Sequence, residues 1–286
     1  LLPIMEKAIH ITSLRNLKYF KEGAFQRIYW GQEFCQNLFP TLSDTDKIIE
    51  FSKKKGLGFT LVTPFVTEQG LAKVIKILKW LKRKHVIKAE IVINDWGVLE
   101  FIHSELKGIF GLSLGRLLVR QERDPSMKII IEKQKPFGLK SKDGKIKVFM
   151  HRVPSREYCK GIKGSYINSV SVQHFLSDYG IKRVELNNVI QGMEIQSVKL
   201  EKTVYTPFVN ISTTRFCPMK TKLQKIFRIG FCRKECQRYY EVLRNQLIPK
   251  FIYKRGNTTF YKNSLKPSLL NKSGIDRIVF QPELPF

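Results

Sequence analysis

Short apolar runs of strand length alternate along this chain with longer stretches in which apolar residues recur every three or four positions. These are the periods of a buried strand and of an amphipathic helix. From the N-terminus the pattern predicts a strand over 9–14, a short helix over 17–23, and a strand over 27–34 (RIYWGQEF). A helix carrying Ile48, Ile49 and Phe51 follows, capped by Ser43 or Asp44 and stopped by Gly56. A third strand is expected over 58–65. Over 67–84, Leu71, Val74, Ile75, Leu78 and Leu81 mark one helical face and lysines fill much of the other. A strand over 89–93 then ends at Asn94 and Asp95, before a helix through Val98, Leu99 and Ile102 and an apolar segment over 109–114. Beyond these the pattern predicts a strand over 145–150, a helix over 169–179, and strands over 183–186 and 205–211.

About eight candidate strands alternating with helices indicate an α/β fold of parallel strands and crossover helices, a TIM-type β/α barrel, complete or irregular. No repeat, low-complexity tract or linker divides residues 1–286, so a single barrel domain is expected. Two segments break the alternation. Residues 121–147 are charged and punctuated by Gly and Pro, as in an excursion over the surface. Residues 250–286 form a C-terminal extension in which 251–262, alternating around Gly256 and Asn257, reads as a β-hairpin.

Composition adds charge to this picture. The 286 residues are 43% apolar, enough for a large core, and carry 51 Lys+Arg against 24 Asp+Glu, a net +27. That balance favours contact with polyanions such as RNA or with anionic membrane surfaces. The plainer alternative is lysine spread over every solvated face of a chain rich in Ile, Lys, Phe and Asn. No apolar stretch approaches the roughly 18 residues of a membrane span. The first ten residues also lack the basic-then-apolar order of a secretory signal. Five cysteines are too few for a disulfide scaffold in a chain of this length and read as metal binding in a reducing cytoplasm.

The cysteine spacing carries the main chemical signal. Cys217 is followed after fourteen residues by Cys232 and after three more by Cys236, with Cys35 far upstream. Four thiolates suit a [4Fe–4S] cluster, one per iron, or a four-cysteine zinc site. Structural zinc usually takes two close pairs and only one pair here is close, so spacing leaves iron–sulfur modestly ahead. Cys35 and Cys217 each follow a predicted strand, at the face where barrel active sites are built. If Cys232 opens a helix, Cys236 lies one turn on and both sulfurs point the same way. The neighbouring Arg215, Arg233, Lys234 and Arg238 are expected to lower the thiol pKa values. Cys159 reads as an ordinary buried cysteine.

Polar residues recur where strands end: Gln32 and Glu33, Asn94 and Asp95, Arg116, His151 and Arg152, Glu185 and Asn187. Each alone is what any strand exit shows; together on a closed barrel they would ring one mouth. A pocket with Arg116 and Arg152 would suit a small anionic molecule. The sequence has no Gly-rich phosphate loop, Rossmann fingerprint, GxSxG or HExxH.

Several segments resemble the peptidase U32 family, named for collagenase-like proteases, and especially its members in oxygen-independent ubiquinone synthesis. They are IYWGQEFC at 28–35, VINDWGVLEFI at 92–102, LGRLLVRQERDP at 114–125, VELNN after Arg183, and the final Cys-x3-Cys. The resemblance implies a TIM-type barrel with a [4Fe–4S] cluster on Cys35, Cys217, Cys232 and Cys236. It also implies a cytoplasmic heterodimer with a second U32-like protein and oxygen-independent hydroxylation with prephenate as oxygen donor. Arg116, Arg152 and Glu185 are then the expected pocket residues. Hydroxylation of tRNA or ribosomal RNA, or RNA binding, is the alternative. A U32 peptidase is a third reading, although no zinc site and no Ser/His or Cys/His pair stands at recognisable spacing. The strong basicity and the long charged stretch over 121–147 depart from the ubiquinone-synthesis members.

Overall fold

The computed structural model describes residues 5–86, 89–132, 137–140, 142–149, 154–195, 200–220, 231–246, 248–265 and 274–286. Its strands, in chain order, begin with β1 (Glu6–Ile11), β2 (Arg27–Gly31), β3 (Gly58–Val62), β4 (Glu90–Ile93) and β5 (Gly111–Leu114). Then come β6 (Phe137–Lys140), β7 (Ile146–Phe149), β8 (Ile181–Asn187), β9 (Glu201–Thr206) and β10 (Phe208–Thr213). The last are β11 (Glu241–Leu243), β12 (Ile252–Arg255), β13 (Thr258–Lys262) and β14 (Arg277–Phe280). Helices α1 (Leu42–Lys54), α2 (Glu68–Arg83), α3 (Trp96–Glu105), α4 (Met127–Glu132), α5 (Arg156–Lys163) and α6 (Val170–Asp178) lie between them.

Eight strands close into a parallel barrel in the order β1-β14-β9-β8-β5-β4-β3-β2, and β10-β13-β12-β11 form a separate antiparallel sheet. The α/β barrel and the late hairpin, β12 and β13 turning at Gly256 and Asn257, stand as the sequence pattern predicts. Period-two alternation sorts the side chains: Ile9, Ile28, Trp30, Leu61, Ile91, Leu112 and Val204 pack outward with the helices, whereas Ala8, Tyr29, Val62, Val92, Tyr205 and Val279 meet inside the barrel. Below that inner layer the strand starts contribute a charged plug. Arg277 pairs with Glu6 at 2.5 Å and Glu90 at 2.6 Å, Arg27 with Glu6 at 2.7 Å, and Arg183 with Glu201 at 2.5 Å and with Asp276. Burying these charges is tolerable because each finds opposite charge.

Helix α2 buries Val74, Ile77, Leu78 and Leu81 and leaves its lysines in water. α1 starts two to three residues earlier than the cap signal suggested, because the Thr41 hydroxyl, not Ser43 or Asp44, accepts from the Asp44 amide at 3.1 Å. Four other expectations change. The segment over 17–23 is instead a 3-10 helix, Leu14–Tyr19. The strand over 145–150 is β7, paired antiparallel with β6 and outside the barrel. The 121–147 stretch also contains α4 and β6, so it is not purely irregular. The run over 205–211 is two strands, because Pro207 has no N–H to give the ladder and the chain leaves the barrel there for the second sheet. The eighth barrel strand is therefore β14, whose Glu6↔Arg277 register against β1 closes the ring. Among the described residues no helix is long and apolar enough to cross a membrane.

Candidate functional site

The barrel mouth is assembled from the strand exits, and Arg116 is its centre. Its Nε donates to Glu33 Oε1 at 3.0 Å, one Nη to Glu33 Oε2, and the other to Asn187 Oδ1 at 3.2 Å and the Phe208 carbonyl at 3.0 Å. The Gln281 amide, oriented to suit its neighbours, accepts from Arg116 at 3.0 Å and donates to the Phe208 carbonyl at 3.1 Å. The guanidinium carbon lies 3.9 Å from the Tyr205 ring centroid. Arg116 and Glu33 are both fully buried, so this cation is committed to internal partners on every side. Asn94 ties in the next exit, donating to the Thr63 carbonyl at 2.9 Å and accepting from the Leu117 amide at 3.1 Å.

The structure thus brings Gln32, Glu33, Asn94, Arg116 and Asn187 to one mouth. Asp95 instead caps α3, accepting from the Gly97 amide at 2.8 Å and the Val66 amide at 3.0 Å. His151 and Arg152 lie outside the described residues. Glu185 sits with the inner barrel layer, where it accepts from Ser113 at 2.6 Å and Tyr29 at 3.3 Å, while Arg277 donates to the Tyr29 hydroxyl at 2.7 Å. Burial pushes the Glu185 carboxyl up to about 7, with the charge of Glu90 adding and Ser113, Arg277 and Arg183 opposing. Its Oε2 has no hydrogen-bond partner, nor does the buried hydroxyl of Tyr205. His10 closes this group; burial holds it down at about 4, against the pull of Glu33 and with the help of Arg116. Tyr29, Ser113, Tyr205, His10 and Gln281 escaped the sequence reading because nothing in a strand's alternation tells the barrel's inside from its outside.

Beside the mouth, Cys35, Cys217, Cys232 and Cys236 converge from three separate segments: Cys35, Cys217 and Cys232 all act electrostatically on Cys236. Phe34, Phe208, Met219, Phe260, Leu284 and Phe286 form an apolar wall around Cys236, with Cys35 and Cys217 packed against it. Cys35 and Cys217 each open a 3-10 turn, so the amides of Asn37 and Leu38 face one sulfur and those of Met219 and Lys220 the other. Cys232 does not open an α-helix; Lys234 adopts φ 58 and Cys236 falls in the short turn Glu235–Gln237. For Cys35, Cys217 and Cys236 the expected lowering by nearby cations is overturned. Burial is the largest influence and raises Cys35 and Cys217, and takes Cys236 up to about 12, with the other thiols adding to it. Arg215 is spent on the Val66 carbonyl at 3.0 Å, and Arg233, Lys234 and Arg238 are exposed. Cys159 lies apart on α5 and is half-buried rather than the buried cysteine expected, because α5 buries none of its residues.

Fold and site together define a β/α-barrel protein in which four cysteines converge beside the barrel mouth. Among the described residues no three His, Cys, Asp or Glu side chains are grouped to hold a single metal ion. Tetrahedral zinc would need its sulfurs about 3.8 Å apart, from bonds near 2.3 Å. A cluster sets each thiolate on a different iron and so accepts a wider ring. The amide-faced sulfurs and their apolar wall fit such a group.

No family model matches the sequence, and no curated protein does. Among solved structures, the U32 peptidase Mk0906 is similar at TM-score 0.46 and 11% identity, over 99% of this chain and 94% of that one. Human YKL-39, a pseudo-chitinase with retained chitooligosaccharide binding, is similar at 0.35 and 10%, over 96% and 92%. A chitinase from Trichuris suis is similar at 0.37 and 9%, over 96% and 91%. At these scores the likenesses carry no function to this chain.

Proposed function

We propose that this chain is a U32-like iron–sulfur protein that takes part in oxygen-independent hydroxylation, with a [4Fe–4S] cluster on Cys35, Cys217, Cys232 and Cys236 and a second U32-like subunit as partner. The observation that carries the reading is the convergence of four thiols from three distant segments, two of them faced by turn amides, against an apolar wall. When bound, such a cluster supplies one-electron chemistry. The chain's own residues do the rest. Arg116 fixes Glu33, Asn187 and the Phe208 carbonyl as the floor of the mouth, a positioning role, since it has no donor to spare for a substrate. Glu185 holds a proton near neutral pH in the barrel interior, and its free Oε2 faces no competing partner. Arg152 keeps its place as a proposed contact for a small anion such as prephenate.

Anaerobically purified protein should carry about four irons and four sulfides and absorb near about 400 nm. Cys35→Ala should bleach it and Cys159→Ala should not. Stoichiometric zinc without iron would sink the cluster reading.

A second reading, RNA as substrate or ligand, is favoured by one feature. The outer face of α2 exposes Lys73, Lys76, Lys79, Lys82 and Arg83 in a chain of net charge +27. A binding isotherm should then weaken steeply with salt. No affinity for single-stranded RNA at low salt would remove it.

A further inference from the structure

A cavity of about 310 Å³ opens between the β1 exit, the β2 exit and the segment around Lys234. We propose that it binds a small phosphorylated sugar, a role that goes beyond the cluster reading and does not depend on it. Its lining is rich in side-chain amides: Gln32, Asn37 and Gln237. Gln32 is 1% exposed; its Nε2 reaches the Thr12 carbonyl at 3.4 Å, and its Oε1 has no partner. A buried amide oxygen left without a donor is costly and marks a place where an unseen group belongs. Amides both donate and accept, as vicinal hydroxyls do, so a row of them matches a sugar.

The charges at the cavity call for an anion. Arg15 and Lys234 line it and are exposed, and among the described residues neither forms an ion pair with a carboxylate. The one acid in the wall, Asp44, is held by the Thr41 hydroxyl at 2.8 Å. Two free cations suit a phosphate dianion. Lys234 also keeps a left-handed φ of 58, uncommon for a residue other than glycine. Two aromatics also line the cavity: Trp30, 1% exposed with its Nε1 bonded to Thr45 at 3.1 Å, and the half-buried Phe39. A polyol with one phosphate satisfies the amides and the cations together.

The test is calorimetric titration of the full chain, with its iron content measured alongside, using ribose 5-phosphate, ribose and inorganic phosphate. Ribose 5-phosphate should bind at least about tenfold tighter than either fragment, and Arg15→Gln and Lys234→Gln, both surface changes, should each weaken it by about tenfold. Gln32→Leu should erase the advantage over inorganic phosphate. The proposal is overturned if ribose 5-phosphate shows no binding up to about 10 mM, if phosphate alone binds as tightly, or if both surface variants bind unchanged. A sample that binds ribose 5-phosphate but holds no iron would support this site while sinking the cluster reading, and the converse result would do the opposite.

Discussion

Replacing Glu185 with glutamine isolates a single buried proton. The carboxyl is fully buried, with one oxygen bonded to Ser113 and Tyr29 and the other unpartnered. Its folded-state pKa of about 7 lies above the ordinary value of 4.5, so between those values the native state binds more protons than the unfolded chain. Stability therefore falls as pH rises through this window, and the burial cost is fully expressed above it. At 1.36 kcal/mol per pH unit the gap is worth about 3 kcal/mol. Glu185→Gln keeps the side chain's size and its carbonyl acceptor while deleting the charge. Urea unfolding of both proteins from pH 5 to pH 8.5 is the assay. Near pH 5 the two should differ by less than about 1 kcal/mol, and by pH 8 the variant should be more stable by about 2 to 3 kcal/mol. A difference that stays flat across this range would refute the assignment of a shared near-neutral proton to Glu185, and with it that residue's proposed role.

Three other outcomes follow from the same structure. Glu33→Leu leaves the Arg116 guanidinium buried beside Asn187, the Phe208 carbonyl and Gln281 alone, and should cost about 3 to 5 kcal/mol by urea unfolding; adding Arg116→Met should recover most of that loss. Gly31 holds φ 128 at the end of β2, and a Cβ there would run into the Val62 carbonyl. Gly31→Ala should therefore lower stability by more than about 2 kcal/mol, whereas alanine at open, exposed Gly161 should change little. His10, held down at about 4 by burial, should show an imidazole NMR shift that is constant from pH 8 to pH 5.5. Because its folded pKa is depressed, its contribution is lost only as pH falls below the unfolded value toward 4.

The local chemistry of the chain determined much of this protein by itself. The period of apolar residues fixed β2, β3, β4, α2, α3 and α6, because each buries one face whatever its partners are. The Gly256–Asn257 turn likewise specified its hairpin, since a tight turn needs the positive φ of 60 that glycine tolerates. Cysteine spacing and placement after strands singled out the thiols that converge, and the family resemblance set Cys159 apart.

Only the tertiary structure decided which strands closed the ring. β7 and β14 are equally short apolar runs, and what separates them is the register of β14 between β1 and β9, a contact between the two ends of the chain. The interior was hidden for the same reason: Tyr29, Ser113 and Tyr205 join Glu185 only when four strands curl into one wall. Arg116 shows the difference most directly. Its position after β5 marked it as a mouth residue, but that it spends every donor internally depended on Glu33, Asn187, Phe208 and Gln281 arriving from four other strand exits. The thiols at the mouth changed in a similar way. Sequence neighbours suggested that cations would draw them down, but a thiol responds to the dielectric around it, and the apolar wall that buries Cys236 is assembled from residues up to the chain's last phenylalanine.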